Sequence, residues 1–240
     1  MNSGPLLFLG IFLTLASSFW GLLLMPQLKL GNQDVTELKE TGELYPLNRA
    51  GVAGQGAEIY RSLGCAECHT RQVRPINVGG DIARGWGHRH SVAQDYIRDY
   101  PVLLGDIRVG PDLANAGLRY TNATELLKLL YKPKSVNAGA MPSYTFLFER
   151  NHLKAGRRPA PNALEIDGEP SDLEILPKPG AQALVAYILS LRADVNLFEA
   201  PLPVKPKPPG SDTNAPPSNA QTNPAAGAAS SPAPAATPGK

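Results

Sequence analysis

The chain has 240 residues, with 23 Lys and Arg against 21 Asp and Glu. That near-balance leaves no basic footprint, so nucleic acid is not expected as a partner. Once an apolar start and a Pro-rich end are set aside, about 175 residues remain, enough for one compact domain.

Pro5 to Met25 carries no charge and includes Leu6, Leu7, Phe8, Leu9, Ile11, Phe12, Leu13, Phe19, Trp20, Leu22, Leu23 and Leu24. At about 1.5 Å per residue the run spans roughly 31 Å, close to a hydrocarbon core of about 30 Å. Trp20 lies near its outer end, where an amphipathic ring suits the interface. Ala16-Ser17-Ser18 would serve as a cleavage site, but no Lys or Arg precedes the run and it is long for a signal core. The expectation is an uncleaved anchor over residues 1–28. Residues 29–54 are polar without strong periodicity and are expected to tether it to a domain over 55–198.

Gln55 to Leu63 is expected as a short helix with Ala57, Ile59, Tyr60 and Leu63 apolar. It leads into Cys65-Ala66-Glu67-Cys68-His69, which holds the only two cysteines. C-x-x-C-H is the attachment signal for a c-type haem. Two intervening residues in one helical turn bring both sulfurs to the two vinyl edges, and His69 then faces the iron as axial ligand. Chance produces this arrangement on the order of once in several thousand such chains. A redox dithiol would need a strand–helix–strand setting, and a zinc site two more ligands, for which His88 and His90 are the available pair. Covalent haem implies export, so the domain is expected outside the cytoplasm.

Arg71 and Arg74 follow closely and are candidates to pair with a haem propionate. In Gly110-Pro111-Asp112-Leu113, Pro111 has a carbonyl that can accept the second ring N–H of His69, and Leu113 can cover the haem face. Asn122 to Tyr131 is expected as a helix, capped by Asn122 and stopped by Pro133. Met141 is the only methionine of the soluble part, in Asn137-Ala138-Gly139-Ala140-Met141-Pro142, and is the candidate sixth ligand; His88, His90 and His152 are its competitors. Residues 149–178 form a polar, Pro-containing insertion, expected as a solvated loop. A helix follows from Ala181 to about Arg192, with Leu184, Val185, Tyr187, Ile188 and Leu191 apolar. No alternating run makes a convincing sheet. The fold class expected is all-α: one transmembrane helix, then a mono-haem cytochrome c domain with long loops. From 199 to 240 the chain is rich in Pro, Ala, Ser and Asn and should be disordered.

Cys65 to Pro75 resembles the motif of the mono-haem subunit II of cbb3-type cytochrome c oxidases. The spacer is similar too: Trp86-Gly87-His88-Arg89-His90-Ser91-Val92-Ala93, Asp99-Tyr100-Pro101 and Arg108-Val109-Gly110-Pro111-Asp112-Leu113-Ala114. Met141-Pro142-Ser143-Tyr144 and Ala183 to Leu191 complete the resemblance, over roughly residues 5–195. Leu103 to Ile107 departs from the pattern in lacking an aromatic and a lysine, and His90 stands where an aromatic is usual. The resemblance implies a single-pass subunit of the inner membrane with one low-spin haem c on the periplasmic side. It would pass electrons to the haem–copper catalytic subunit, beside a further cytochrome c subunit. Oxygen reduction requires two b-type haems and a copper, which this chain cannot ligate by itself. The alternatives are a free-standing tethered cytochrome shuttle, the small subunit of nitric oxide reductase, and a haem-based gas sensor.

Overall fold

The computed structural model describes residues 3–202, except 32, 40, 50, 137–139 and 155. The tail expected to be disordered therefore lies outside the described residues from 203 onward, as do Asn137, Ala138 and Gly139.

A continuous helical run covers Gly4–Leu30 and is long and apolar enough to cross a membrane. It comprises α1 (Gly4–Phe19), a π-helical turn over Trp20–Leu24, and α2 (Met25–Leu30). Pro26 explains the turn. Proline has no N–H to give the carbonyl one α-helical step back, and widening the preceding turn absorbs the defect.

The segment expected as a tether is docked on the domain. Thr36–Glu37 (β1) and Leu44–Tyr45 (β2) pair antiparallel, Tyr45 is buried, and its hydroxyl donates to Asp95 at 2.7 Å. The Gln94 side-chain amide donates to the Asp34 carbonyl at 3.0 Å and also contacts Thr36 Oγ1.

The regular structure of the domain is mostly helical: α3 (Val52–Ser62), α4 (Ala116–Arg119), α5 (Ala123–Tyr131) and α6 (Pro179–Ser190). Asn122 caps α5 by accepting from the Thr124 N–H at 2.8 Å. Helix α6 begins two residues before the expected Ala181, because Pro179 sits in the first turn, where its missing N–H costs nothing. Its core face carries Ala181, Ala183, Leu184, Val185, Tyr187 and Ile188, all buried.

Helices α3 and α6 cross at Gly56. A Cβ there would lie 1.9 Å from the Ala183 carbonyl oxygen, so the backbones touch directly. One turn on, the Tyr60 and Tyr187 rings pack with centroids 5.3 Å apart. Gly117 of α4 approaches the other end of α6 in the same way, 2.0 Å from the Leu189 carbonyl on the same measure. Leu126, Leu127, Leu130 and Tyr131 of α5 complete the core, with Tyr131 meeting Phe148 edge to face at 5.3 Å.

The all-α expectation needs correction at two short ribbons. Besides β1–β2, Phe148–His152 (β3) pairs antiparallel with Leu173–Pro177 (β4) inside the polar insertion. Leu173, Ile175 and Pro177 point into the core, and buried Leu164 bonds its N–H to the Ile175 carbonyl at 2.9 Å. β3 gave no sequence signal because only Phe148 of its five residues is buried.

Residues 63–115 are loop with brief 3-10 turns, and ion pairs hold them. Asp81, fully buried, meets Arg74 at 2.8 Å and Arg108 at 2.7 Å. Asp95 meets Arg89 at 2.6 Å. Asp99 meets Arg71 at 2.6 Å and Arg49 on its other oxygen. Burial pushes the Asp81 carboxyl up, but its bonds from Arg74 and Arg108 outweigh this and hold it down at about 2.

Two outcomes follow. Gly56→Val must separate α3 from α6 and is expected to cost about 2–3 kcal/mol or more in urea unfolding. Asp81 has a folded pKa below its unfolded value near 3.9, so its contribution is present above about pH 4 and fades toward about pH 2. Asp81→Asn should cost on the order of 1–3 kcal/mol at pH 7 and flatten the loss of stability between about pH 4 and 2, measured by unfolding at a series of pH values.

Candidate haem-binding site

Two residues, Leu63 and Gly64, separate α3 from the C-x-x-C-H segment. Gly64 turns the chain, Cys65–Glu67 forms a 3-10 turn, and the His69 N–H donates to the Cys65 carbonyl at 3.0 Å. Both cysteines are free thiols. Cys65 is partly buried against the core cluster and Cys68 is exposed. Burial pushes the Cys65 thiol up to about 11, against a hydrogen bond with Tyr144 that lowers it.

Among the described residues, the His69 ring is hydrogen-bonded through Nδ1. Its Nδ1 lies 2.8 Å from the Pro111 carbonyl oxygen. A carbonyl can only accept, so Nδ1 carries the proton and Nε2 is left with its lone pair. Gly110 makes room for the ring: a Cβ at that position would sit 2.2 Å from His69 Cε1.

Asp112 fixes the Pro111 loop to the chain just after the histidine. Its Oδ2 accepts from Thr70 Oγ1 and the Gln72 N–H, both at 2.7 Å, and Oδ1 accepts from the Ala114 N–H at 2.8 Å. The Gly110 N–H donates to the Cys68 carbonyl at 2.9 Å and the Leu113 N–H to the Thr70 carbonyl at 2.7 Å. Leu113 is buried in the core cluster. A second loop backs the motif. The Arg71 N–H donates to Leu104 O at 2.7 Å and the Asp106 N–H to Ala66 O at 3.3 Å, with Gly105 between them at φ +79°. A β-carbon on Gly105 would sit 2.2 Å from the His69 carbonyl oxygen, so both the dihedral and the space require glycine.

Met141 is partly buried and packs against the same core cluster as Cys65, and the following turn is tied by the Tyr144 N–H to Leu130 O at 2.8 Å. Arg74 pairs with Asp81. Arg71 is buried, donating to the Tyr187 hydroxyl at 2.8 Å and to Asp99. His88 contacts Asp194, and His152 lies 3.0 Å from Asp172; both imidazoles are exposed.

These donors fit a c-type haem. Two free thiols stand at the attachment spacing, an imidazole keeps Nε2 open, and a thioether and apolar side chains share one cluster. The Tyr60 hydroxyl is buried with no partner among the described residues, a polar atom that the protein alone does not satisfy. Sequence reasoning missed Gly110 and Asp112 as positioning residues. Both stand in the quoted Gly-Pro-Asp-Leu, but only the fold brings Thr70 and Gln72 back to Asp112.

The family model described as "Cytochrome C oxidase, mono-heme subunit/FixO" matches residues 5–170. No curated protein was found to match the chain. The matched stretch contains the apolar N-terminal helix from Pro5 onward, Cys65, Cys68 and His69, the Pro111 loop and Met141, and it covers well over half of the sequence, so this chain belongs to the mono-haem subunit family of cytochrome c oxidases.

Proposed function

We propose that this chain is the membrane-anchored mono-haem c subunit of a cbb3-type terminal oxidase. It takes electrons from a soluble donor or from a further cytochrome c subunit and passes them to the haem–copper catalytic subunit, with its domain on the periplasmic side of the inner membrane. The observation that carries the reading is the geometry at His69, a fixed imidazole with Nε2 open beside two free thiols in a chain of this family.

When bound, the haem supplies a one-electron ferric–ferrous couple. The residues of the chain supply the rest. Cys65 and Cys68 would hold the group through thioether bonds, which fixes its distance from the backbone. His69 would be one axial ligand. The Pro111 carbonyl keeps the proton on Nδ1, orients the ring and raises the basicity of Nε2. Leu113, buried in the core cluster, would cover the haem face beside His69 and exclude water from it. Met141 would be the second axial ligand, and a thioether in place of imidazole favours the ferrous form and raises the potential.

Against a free shuttle stands the short link. Helix α2 ends at Leu30 and the domain already holds Asp34, so only residues 31–33 remain to bridge them. Such a link reaches about 10 Å, too little for a domain that must travel between complexes. A haem held near its anchor suits a fixed place in one complex.

The reading is tested on the purified subunit and on native membranes. Met141→His should keep the haem low-spin, abolish the near-infrared sulfur-to-iron band of the ferric form and lower the potential on the order of 0.2 V. About 0.06 V changes a one-electron equilibrium tenfold, so oxygen consumption should collapse while the complex stays assembled. An unchanged band and turnover would return the choice of ligand to His88, His90 or His152. Gly110→Val should displace His69, giving a haem still attached at both cysteines but high-spin in its visible spectrum.

A further inference from the structure

One cleft of the domain is lined by none of Cys65, Cys68, His69 and Met141. It has a volume of about 170 Å³ and is lined by Arg49, Arg71, Arg98, Asp99, Tyr100 and Leu103, among others. Its charges are incompletely matched. Asp99 is shared by Arg49 and Arg71, and the Nε of each is buried without a hydrogen-bond partner among the described residues. The Arg71 side chain is only 3% exposed, and it shares with Arg49 the single carboxylate of Asp99. Arg98, on the exposed rim, has no ion pair among the described residues. A further arginine of the lining, Arg61, is already matched by Glu58 at 2.7 Å.

Beside the cleft runs an apolar ledge. Tyr100 is 99% exposed, and Val102, Leu104, Ile107 and Val109 are exposed after it. This is the loop that hydrogen-bonds the backbones of Ala66, Cys68 and Arg71. Whatever covers the ledge is therefore one loop thickness from the residues that hold the haem. Large exposed apolar side chains clustered at one place, rimmed by charge, mark a protein interface.

The geometry points to this surface as the docking site for the haem–copper catalytic subunit, an acidic side chain of which enters the cleft between Arg49, Arg71 and Arg98. The inference rests on the function proposed above and adds to it the face and the chemistry of contact. A carboxylate offsets the excess positive charge of Arg49, Arg71 and Arg98 over Asp99, and the apolar ledge desolvates the pair. A second copy of this chain would bring two basic clefts together around a two-fold axis, with like charges opposed.

The test uses the full chain expressed with its oxidase. Arg98→Glu, and separately Ile107→Asp with Val109→Asp, should leave the haem spectrum and membrane attachment of the subunit as in the wild type. Co-elution with the subunit carrying b-type haem should fall about tenfold or more, and oxygen consumption with it. A photo-crosslinking amino acid in place of Ile107 should join the catalytic subunit; this probe decides the matter if the aspartates prevent haem attachment. Crosslinks only to lipid, or only to a second copy, overturn the assignment. So does normal co-elution and turnover of both variants, which would leave the proposed function intact. If the wild-type chain itself co-elutes with no b-haem subunit, both readings fall together.

Discussion

The depth at which α3 sinks onto α6 governs the rest of the domain. At Gly56 the two backbones meet without an intervening side chain, and at Gly117 a second segment meets α6 in the same manner. Ridge-into-groove packing between ordinary side chains would hold these elements further apart. Because Cys65 follows α3 by only a Leu and a Gly, the crossing sets where the first thiol stands over the core. Because Gly117 follows Leu113 within the same short turn, the second contact sets where the Pro111 loop stands. One helix thus positions both halves of the site, and the histidine is caught between them.

The loops around that core contain few apolar side chains to bury. Their order comes from Asp81, Asp95, Asp99 and Asp112, each satisfied by arginines, hydroxyls or backbone N–H groups. The arginines also cover aromatic faces, with Arg84 and Arg108 about Trp86 at 5.0 and 5.8 Å. Buried ion pairs have a desolvation cost close to their Coulombic gain, so they add little net stability when intact. What they provide is intolerance of alternatives, since any other loop arrangement leaves a buried charge unmatched. A haem held by loops needs such definition, because a small displacement of Pro111 would turn the imidazole.

The longer helices are legible because their apolar spacing repeats over nine or more residues, as in α5 and α6, whereas the four-residue α4 carries no such repeat. The two ribbons are not. β1 and β2 are two residues long, and β3 is polar along nearly its whole length, so pairing alone defines them. At the site, the thiols, His69 and the Pro111 contact could be read from local chemistry, since spacing and the lack of an N–H are properties of the chain itself. Asp112, Arg49 and the apolar ledge could not. Their partners lie dozens of residues away, and a loop valine gives no sign in sequence of whether it is covered. Arg74 shows the converse. Its position near the motif suggests a propionate, and only the fold shows that Asp81, seven residues on, engages its guanidinium.

The π-helical turn over Trp20–Leu24 has an effect on the anchor beyond accommodating Pro26. One extra residue in a turn rotates everything after it by about 100° relative to an unbroken α-helix. A lateral stripe through Leu9, Leu13 and Ser17 is continued past the turn by side chains one position later in sequence than regular spacing would supply. Gly21, with no side chain, leaves a notch at the switch. The anchor consequently offers two lateral faces of different azimuth, one on α1 and one on α2. A neighbouring helix can follow the first, cross at the notch, and leave the second for a different contact.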